Sequence, residues 1–168
     1  RNNELEPMKE RATAYLSERH ALKTTLLGAP LNAEMLALDS RIAEVKRHGT
    51  DVTIVTWGAM VHVAQAAIHE SGISCDLIDL QSLVPWDKEA IEASIEKTGR
   101  CVIVHEAPKT SGFGAEMAAS IQERCFWSLE APVNRVTGWD TPFPHTTEWD
   151  YMPSPARIAE AIHKTMEE

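Results

Sequence analysis

Short, β-branched apolar runs alternate along this chain with longer segments whose apolar residues recur every three or four positions. Val52 to Trp57 is a run of this kind bounded by Gly49 and Gly58; it is too short for a helix and predicts a buried strand. Ala59 to Ser71 has Val63, Ala67 and Ile68 on one helical face, and Gly72 stands where a helix C-terminal glycine belongs. Ser74 to Leu80 sets Cys75, Leu77 and Asp79 against Asp76, Ile78 and Leu80, which predicts a second strand. Asp87 is a good N-cap for a helix over Lys88 to Lys97, with Ile91 and Ile95 inward, Glu89, Glu92 and Glu96 outward, and Gly99 as its stop.

The same rhythm continues downstream. Cys101 to His105 predicts a third strand, followed by a loop through Pro108 and Gly112, a helix from about Gly114 to Arg124, and a fourth strand over Val133 to Thr137. Four prolines, Pro142, Pro144, Pro153 and Pro155, predict a rigid irregular loop. A final helix over Ala156 to Met166 would place Ile158, Ala161, Ile162 and Met166 on one face. Such alternation implies an α/β fold with a mostly parallel sheet and helices on both faces. Upstream, Glu4 to Ala21 has the spacing of an amphipathic helix, and Gly28 and Pro30 punctuate the chain beyond it. The stretch Asn32 to Arg47 fits a helix or, at its end, a short strand. The expected organisation is therefore a helical segment, linker and candidate edge strand over residues 1–48, then one α/β domain over residues 49–168.

Composition narrows the function classes. With 43% hydrophobic and 24% charged residues in 168, the chain suits one ordinary core. No run approaches the ~18 apolar residues of a membrane span, and the polar first ten residues do not resemble a signal peptide, so a soluble, unexported protein without a membrane partner is expected. Twenty-five acidic residues against 16 Lys and Arg give a net charge of −9, which argues against nucleic acid as a partner. The excess falls after Asp51, where 18 acidic residues face 8 basic ones. That imbalance suits a basic partner or a solvated face. Cys75, Cys101 and Cys125 are odd in number and widely spaced, as expected of reduced thiols in a cytoplasmic or mitochondrial-matrix compartment.

Three places invite chemistry. Gly112-Phe113-Gly114 lies between a strand and a helix, where phosphate loops occur, but Met117 stands where a dinucleotide fingerprint needs its third glycine. His145 and Glu148, with His163 further on, raise a metal site without a third ligand at ordinary spacing. His105-Glu106 falls at a strand end, where α/β proteins place ligands, or where a histidine caps a loop. No Gly-x-Ser-x-Gly elbow occurs. The expectation is no catalytic set, cofactor site or metal site complete within this chain.

Several longer stretches carry a resemblance. They are Gly49-Thr-Asp-Val-Thr-Ile-Val-Thr-Trp-Gly58, Asp79-Leu-Gln-Ser-Leu-Val-Pro-Trp-Asp87, His105-Glu-Ala-Pro-Lys-Thr-Ser-Gly-Phe-Gly-Ala-Glu116, Ser128-Leu-Glu-Ala-Pro-Val133 and Arg135-Val-Thr-Gly-Trp-Asp-Thr-Pro-Phe-Pro-His145. Over about Gly49 to Met166 the chain resembles the C-terminal, transketolase-like domain of the β subunits of thiamine-dependent 2-oxo acid dehydrogenases, in its motifs more the branched-chain than the pyruvate type. The resemblance implies a three-layer α/β/α fold with an open sheet of about five strands, the first antiparallel and falling near Arg41 to Lys46, with His48-Gly49-Thr50 as a hairpin turn. It implies an α2β2 assembly with an α subunit and a second β subunit, in which thiamine diphosphate and magnesium are held by other domains. This domain would serve assembly and docking of the acyltransferase's small basic subunit-binding domain, and Glu130 matches the acidic docking position. Arg1 to Arg47 does not resemble the thiamine-binding part of the family, and no Gly-Asp-Gly motif occurs. That pattern leaves either a piece cut from a longer protein, which the Arg1 start favours, or a stand-alone relative. The alternatives in function are a stand-alone small-ligand or nucleotide-binding module around His105 and Gly112, or the same domain from a pyruvate dehydrogenase or transketolase relative.

Overall fold

A computed structural model describes residues 42–168; the helix expected over Glu4 to Ala21 and the start of the ambiguous segment lie outside them. Five strands form one sheet in the order β1-β3-β2-β4-β5, where β1 is Ala43–Arg47, β2 Val52–Thr56, β3 Cys75–Leu80, β4 Cys101–Pro108 and β5 Asn134–Gly138. β1 runs antiparallel to β3, and every other pairing is parallel. The fold is thus an α/β sheet of the expected kind, with its one antiparallel strand at an edge.

Because β2, β3 and the first half of β4 are buried on both sides, their sequences read as near-continuous apolar runs. One face is covered by helices α1 (Met60–Ser71) and α5 (Pro155–Glu167), which bring Val61, Ala64, Ile68, Ile158 and Ile162 against Val52, Ile54, Leu77, Val102 and Val104. The other is covered by α2 (Lys88–Thr98) and α3 (Phe113–Cys125), with Ile91, Ile95, Met117 and Ile121 against Val55, Ile78 and Ile103. A fully buried isoleucine of this kind contributes about 1.5–3 kcal/mol through removal from water. Cys75, Cys101 and Cys125 are buried free thiols. Burial pushes the Cys75 thiol up to about 12, against the opposing charge of Arg47, and burial also raises Cys101 and Cys125.

Helix ends follow the local sequence. The Asp87 side chain accepts from the Ala90 N–H at 3.0 Å, and Gly72 and Gly99 close α1 and α2 as expected. Ser154 caps α5 ahead of Pro155 at its first turn.

Four local expectations need correction. The segment His48-Gly49-Thr50 is not a hairpin turn, because β1 pairs with β3 and not with its sequence neighbour β2. The chain instead crosses the start of β3 so closely that a Cβ on Gly49 would lie 2.2 Å from the Cys75 carbonyl carbon, and only glycine permits that approach. In α1 the inward face is Met60, Val61, Ala64, Ala67 and Ile68, with Val63 half-buried at its border. In α5 Met166 is 36% exposed while Thr165 is fully buried and donates to the Ala161 carbonyl at 2.7 Å. The apolar stripe therefore ends one residue early, on a threonine whose hydroxyl is satisfied within its own helix. The proline-rich stretch also contains a one-turn helix, α4 (Glu148–Tyr151), which seats the buried Tyr151 ring beside Phe143.

Candidate functional site

The sheet face under α2 and α3 changes character from one end to the other. At the strand starts, β2 and β3 place Thr53 beside Asp76. The Asp76 carboxylate accepts from Ser94 Oγ at 2.5 Å, Lys97 Nζ at 2.6 Å and the Gly49 N–H at 3.3 Å. Thr53 Oγ1 lies 2.7 Å from both Ser94 Oγ and Thr98 Oγ1. Burial alone would raise the Asp76 carboxyl, but the hydrogen bonds from Lys97 and Ser94, the Lys97 charge and the Gly49 N–H outweigh it and hold the group below the ordinary carboxylate range.

At the strand ends the same face becomes aromatic. His105, 1% exposed, stacks on Trp57 with ring centroids 5.3 Å apart, and Phe113 meets Trp57 edge-on at 6.1 Å. Neither imidazole nitrogen has a hydrogen-bond partner. Burial and the nearby Arg135 charge lower the His105 pKa, with the Ala107 backbone opposing at a geometry short of a normal hydrogen bond. A neutral ring is the form this pocket selects.

His105 also explains the two glycines expected of a phosphate loop. A Cβ on Gly112 would meet the Pro108 carbonyl at 2.3 Å and His105 Cε1 at 2.7 Å, and a Cβ on Gly114 would meet His105 Nε2 at 2.4 Å. The missing side chains make room for an imidazole of this chain, which accounts for both glycines without a bound diphosphate. Glu106, the next residue, is exposed. His145 is exposed beside Phe143, Glu148 opens α4 and His163 lies exposed on α5. Among the described residues no group of three or more His, Cys, Asp or Glu side chains is arranged to hold a metal ion.

Glu130 lies at another corner, after α3 and a 3-10 turn over Phe126–Ser128. Its N–H donates to the Gly99 carbonyl at 2.8 Å, which fixes the backbone against the end of α2. Its carboxylate is 62% exposed and pairs with Arg100 Nη1 at 2.7 Å. Glu130 forms one wall of an open cavity of about 500 Å³ with Phe126, Trp127, Leu129, Ala131 and Pro132. Trp127 is 95% exposed and meets Phe126 edge-on at 4.9 Å. Sequence reasoning selected Glu130 and missed its two aromatic neighbours, although Phe126-Trp127 directly after an amphipathic helix was a visible signal. It missed Arg100 because no local pattern links residues thirty apart.

Comparison with known proteins places these features in a family. The model for the C-terminal domain of transketolase matches residues 42–158. The chain belongs to the transketolase C-terminal domain family. Over 125 residues it is 56% identical to the 2-oxoisovalerate dehydrogenase subunit beta of Pseudomonas aeruginosa, and over 127 residues 56% identical to the mitochondrial subunit beta 2 of the same dehydrogenase from Arabidopsis thaliana. Each alignment covers 74% of this chain and 36% of the relative, so the chain spans about a third of the length of these relatives. A solved structure described as a split-gene transketolase, inactive beta4 tetramer, superposes with a TM-score of 0.62 at 27% identity, covering 74% of this chain and 41% of that one.

Among the described residues no helix is long and apolar enough to cross a membrane.

Proposed function

We propose that this chain is the C-terminal assembly and docking domain of a branched-chain 2-oxo acid dehydrogenase β subunit and does not decarboxylate by itself. It joins an α subunit and a second β subunit, and docks the acyltransferase's subunit-binding domain through Glu130. The observation that carries this reading is the 56% identity to 2-oxoisovalerate dehydrogenase β subunits across 74% of the chain. That the glycines of the Gly112–Gly114 turn make room for His105 is in keeping with thiamine diphosphate and magnesium being held elsewhere in the parent assembly, in a cytoplasmic or mitochondrial-matrix enzyme.

The Arg100–Glu130 pair refines the docking proposal. A partner's basic side chain must share this carboxylate with Arg100, whose own side chain is 23% exposed while that of Glu130 is 62% exposed and open to a second cation. Binding of a matching subunit-binding domain should fall at least tenfold on Glu130→Ala and little on Glu123→Ala, as measured by titration calorimetry at two salt concentrations. Equal affinities for Glu130→Ala and wild type at both salts would remove Glu130 from the interface. Calorimetry with thiamine diphosphate and magnesium should show no saturable heat for the isolated chain, and a saturable magnesium-dependent heat overturns the cofactor assignment.

A further inference from the structure

A second cavity, of about 460 Å³, opens between the edge strand β5 and helix α5, and its charge is opposite to that of the chain as a whole. Lys109, Arg135, Arg157 and Lys164 line it together with Trp139, and Glu160 is its one acidic wall residue. Lys109, just after β4, and Arg157, bonded to the Thr137 carbonyl, stand by the carboxyl-terminal end of the sheet, where α/β folds place ligands, and Arg135 comes from the second position of β5. Arg135 reaches over to donate to the Lys109 carbonyl at 2.9 Å. Arg157 lies 4.1 Å over the Trp139 ring and donates to the Thr137, Tyr151 and Met152 carbonyls.

The state of these groups points to a ligand. Arg157 spends both terminal guanidinium nitrogens on backbone carbonyls and supplies charge from a fixed position. Arg135 and Lys109 form no ion pair among the described residues, and Arg135 spends one guanidinium nitrogen on a carbonyl and keeps the rest of its donor fork. The nearby carboxylates are largely engaged by their own neighbours: Asp140 accepts from the Thr110 N–H at 2.8 Å and its hydroxyl at 2.7 Å and also feels the Lys109 charge, and Glu168 pairs with Lys164 at 3.3 Å and accepts from Asn134 at 2.8 Å. An arginine fixed by a carbonyl and keeping unspent donors, beside a lysine that forms no ion pair and in a cavity of ligand size, is an arrangement that recognises a tetrahedral or planar oxyanion.

We propose that the β5–α5 cavity binds the phosphate group of a small phosphorylated molecule, with Arg135 and Lys109 as its direct contacts and Arg157 as a fixed background charge. The site is separate from the Glu130 corner and does not depend on the docking role proposed there.

The test uses the full 168-residue chain, observing the Trp139 indole N–H and the Arg135 and Val136 amides by ¹⁵N NMR during titration with pyrophosphate, ADP and adenosine at constant ionic strength. Saturable shifts with pyrophosphate and ADP, absent with adenosine, are expected. ADP binding more tightly than pyrophosphate would assign the site to a phosphoester, and equal binding would assign it to free phosphate groups. Lys109→Gln and Arg135→Gln should each weaken binding at least fivefold, and Glu160→Gln should strengthen it. Lys109→Gln keeps the test open if loss of Arg135 disturbs the loop. Shifts that fail to saturate, that persist unchanged in Lys109→Gln, or that appear equally with adenosine would overturn the proposal. Saturable binding of an acidic peptide at these amides without binding of either phosphate compound would overturn it as well.

Discussion

At one end of the sheet the Asp76 carboxylate is surrounded by donors, whereas at the other end of the same face His105 stacks on an aromatic ring with neither nitrogen hydrogen-bonded. Both side chains are buried. Asp76 keeps its charge because Lys97, Ser94 and the Gly49 N–H replace the water it lost. His105 gives up its charge and presents a flat neutral ring to Trp57. Burial therefore does not by itself decide whether a titratable residue stays ionised; the supply of donors within reach does. It also separates a polar clamp that ties β2, β3 and α2 together from an aromatic clamp that ties β2, β4 and α3 together.

The first way to break this contrast is at the polar end. Asp76→Ala removes the acceptor shared by three donors, leaving the Gly49 N–H without its side-chain acceptor and Ser94 with Thr53 alone, while the half-exposed Lys97 rehydrates. A loss of roughly 2–3 kcal/mol in urea-unfolding free energy is expected, and Asp76→Asn should recover part of it. A loss below about 1 kcal/mol for Asp76→Ala would show that the network is decorative.

Next in size is Gly114→Ala at the aromatic end, where the new methyl meets His105 and, at 3.2 Å, Ile103 Cγ2. Overpacking at about 1–3 kcal/mol outweighs the gain of about 1 kcal/mol that alanine brings to a helix. Unfolding free energy should fall by about 1–2 kcal/mol, and His105→Ser in the same background should restore most of it. If the double variant is no more stable than Gly114→Ala, the imidazole is not what requires the glycine.

The smallest effect is in pH. His105 has a folded pKa below its unfolded value, so its neutral form stabilises the native state fully above about pH 6.5, the ordinary histidine value, and that contribution is lost as pH falls and the unfolded chain takes up the proton. Asp76 has the opposite preference, with a depressed carboxyl whose contribution is present above about pH 3.9 and is lost as pH falls further through the folded value. Thermal melts should therefore show a shallow decline between pH 7.5 and 5.5 that His105→Leu flattens, and a steeper one below pH 4 that Asp76→Asn flattens. A His105→Leu profile that parallels wild type from pH 7.5 to 5.5 would contradict a neutral buried imidazole.

What the amino-acid order revealed was what short-range physics controls. Val52–Thr56 announced itself by β-branched density between two glycines, and Asp87 and Gly99 marked the ends of α2 by local hydrogen bonding. The placement of β1 beside β3 was not legible, because pairing depends on which edge remains open once the parallel strands are ordered. Met166 was misplaced for a subtler reason, since a threonine that satisfies its own hydroxyl can occupy a core position that apolar periodicity assigns to its neighbour. At the sites, Glu130 was visible as part of a motif. The Arg100 partner, the Trp127 surface and the imidazole filling the Gly112–Gly114 turn all depend on residues brought from other elements.

The three buried thiols give the domain an internal clock. The thiolate is the reactive form of cysteine, and here each sulfur is both covered and held in its protonated state. An alkylating reagent in solution can therefore modify only molecules that have opened. Cys75 packs on the side of α1 and α5, and Cys101 and Cys125 on the side of α2 and α3, so the order in which the three are labelled records which layer of helices lifts from the sheet first, with no probe added to the natural sequence.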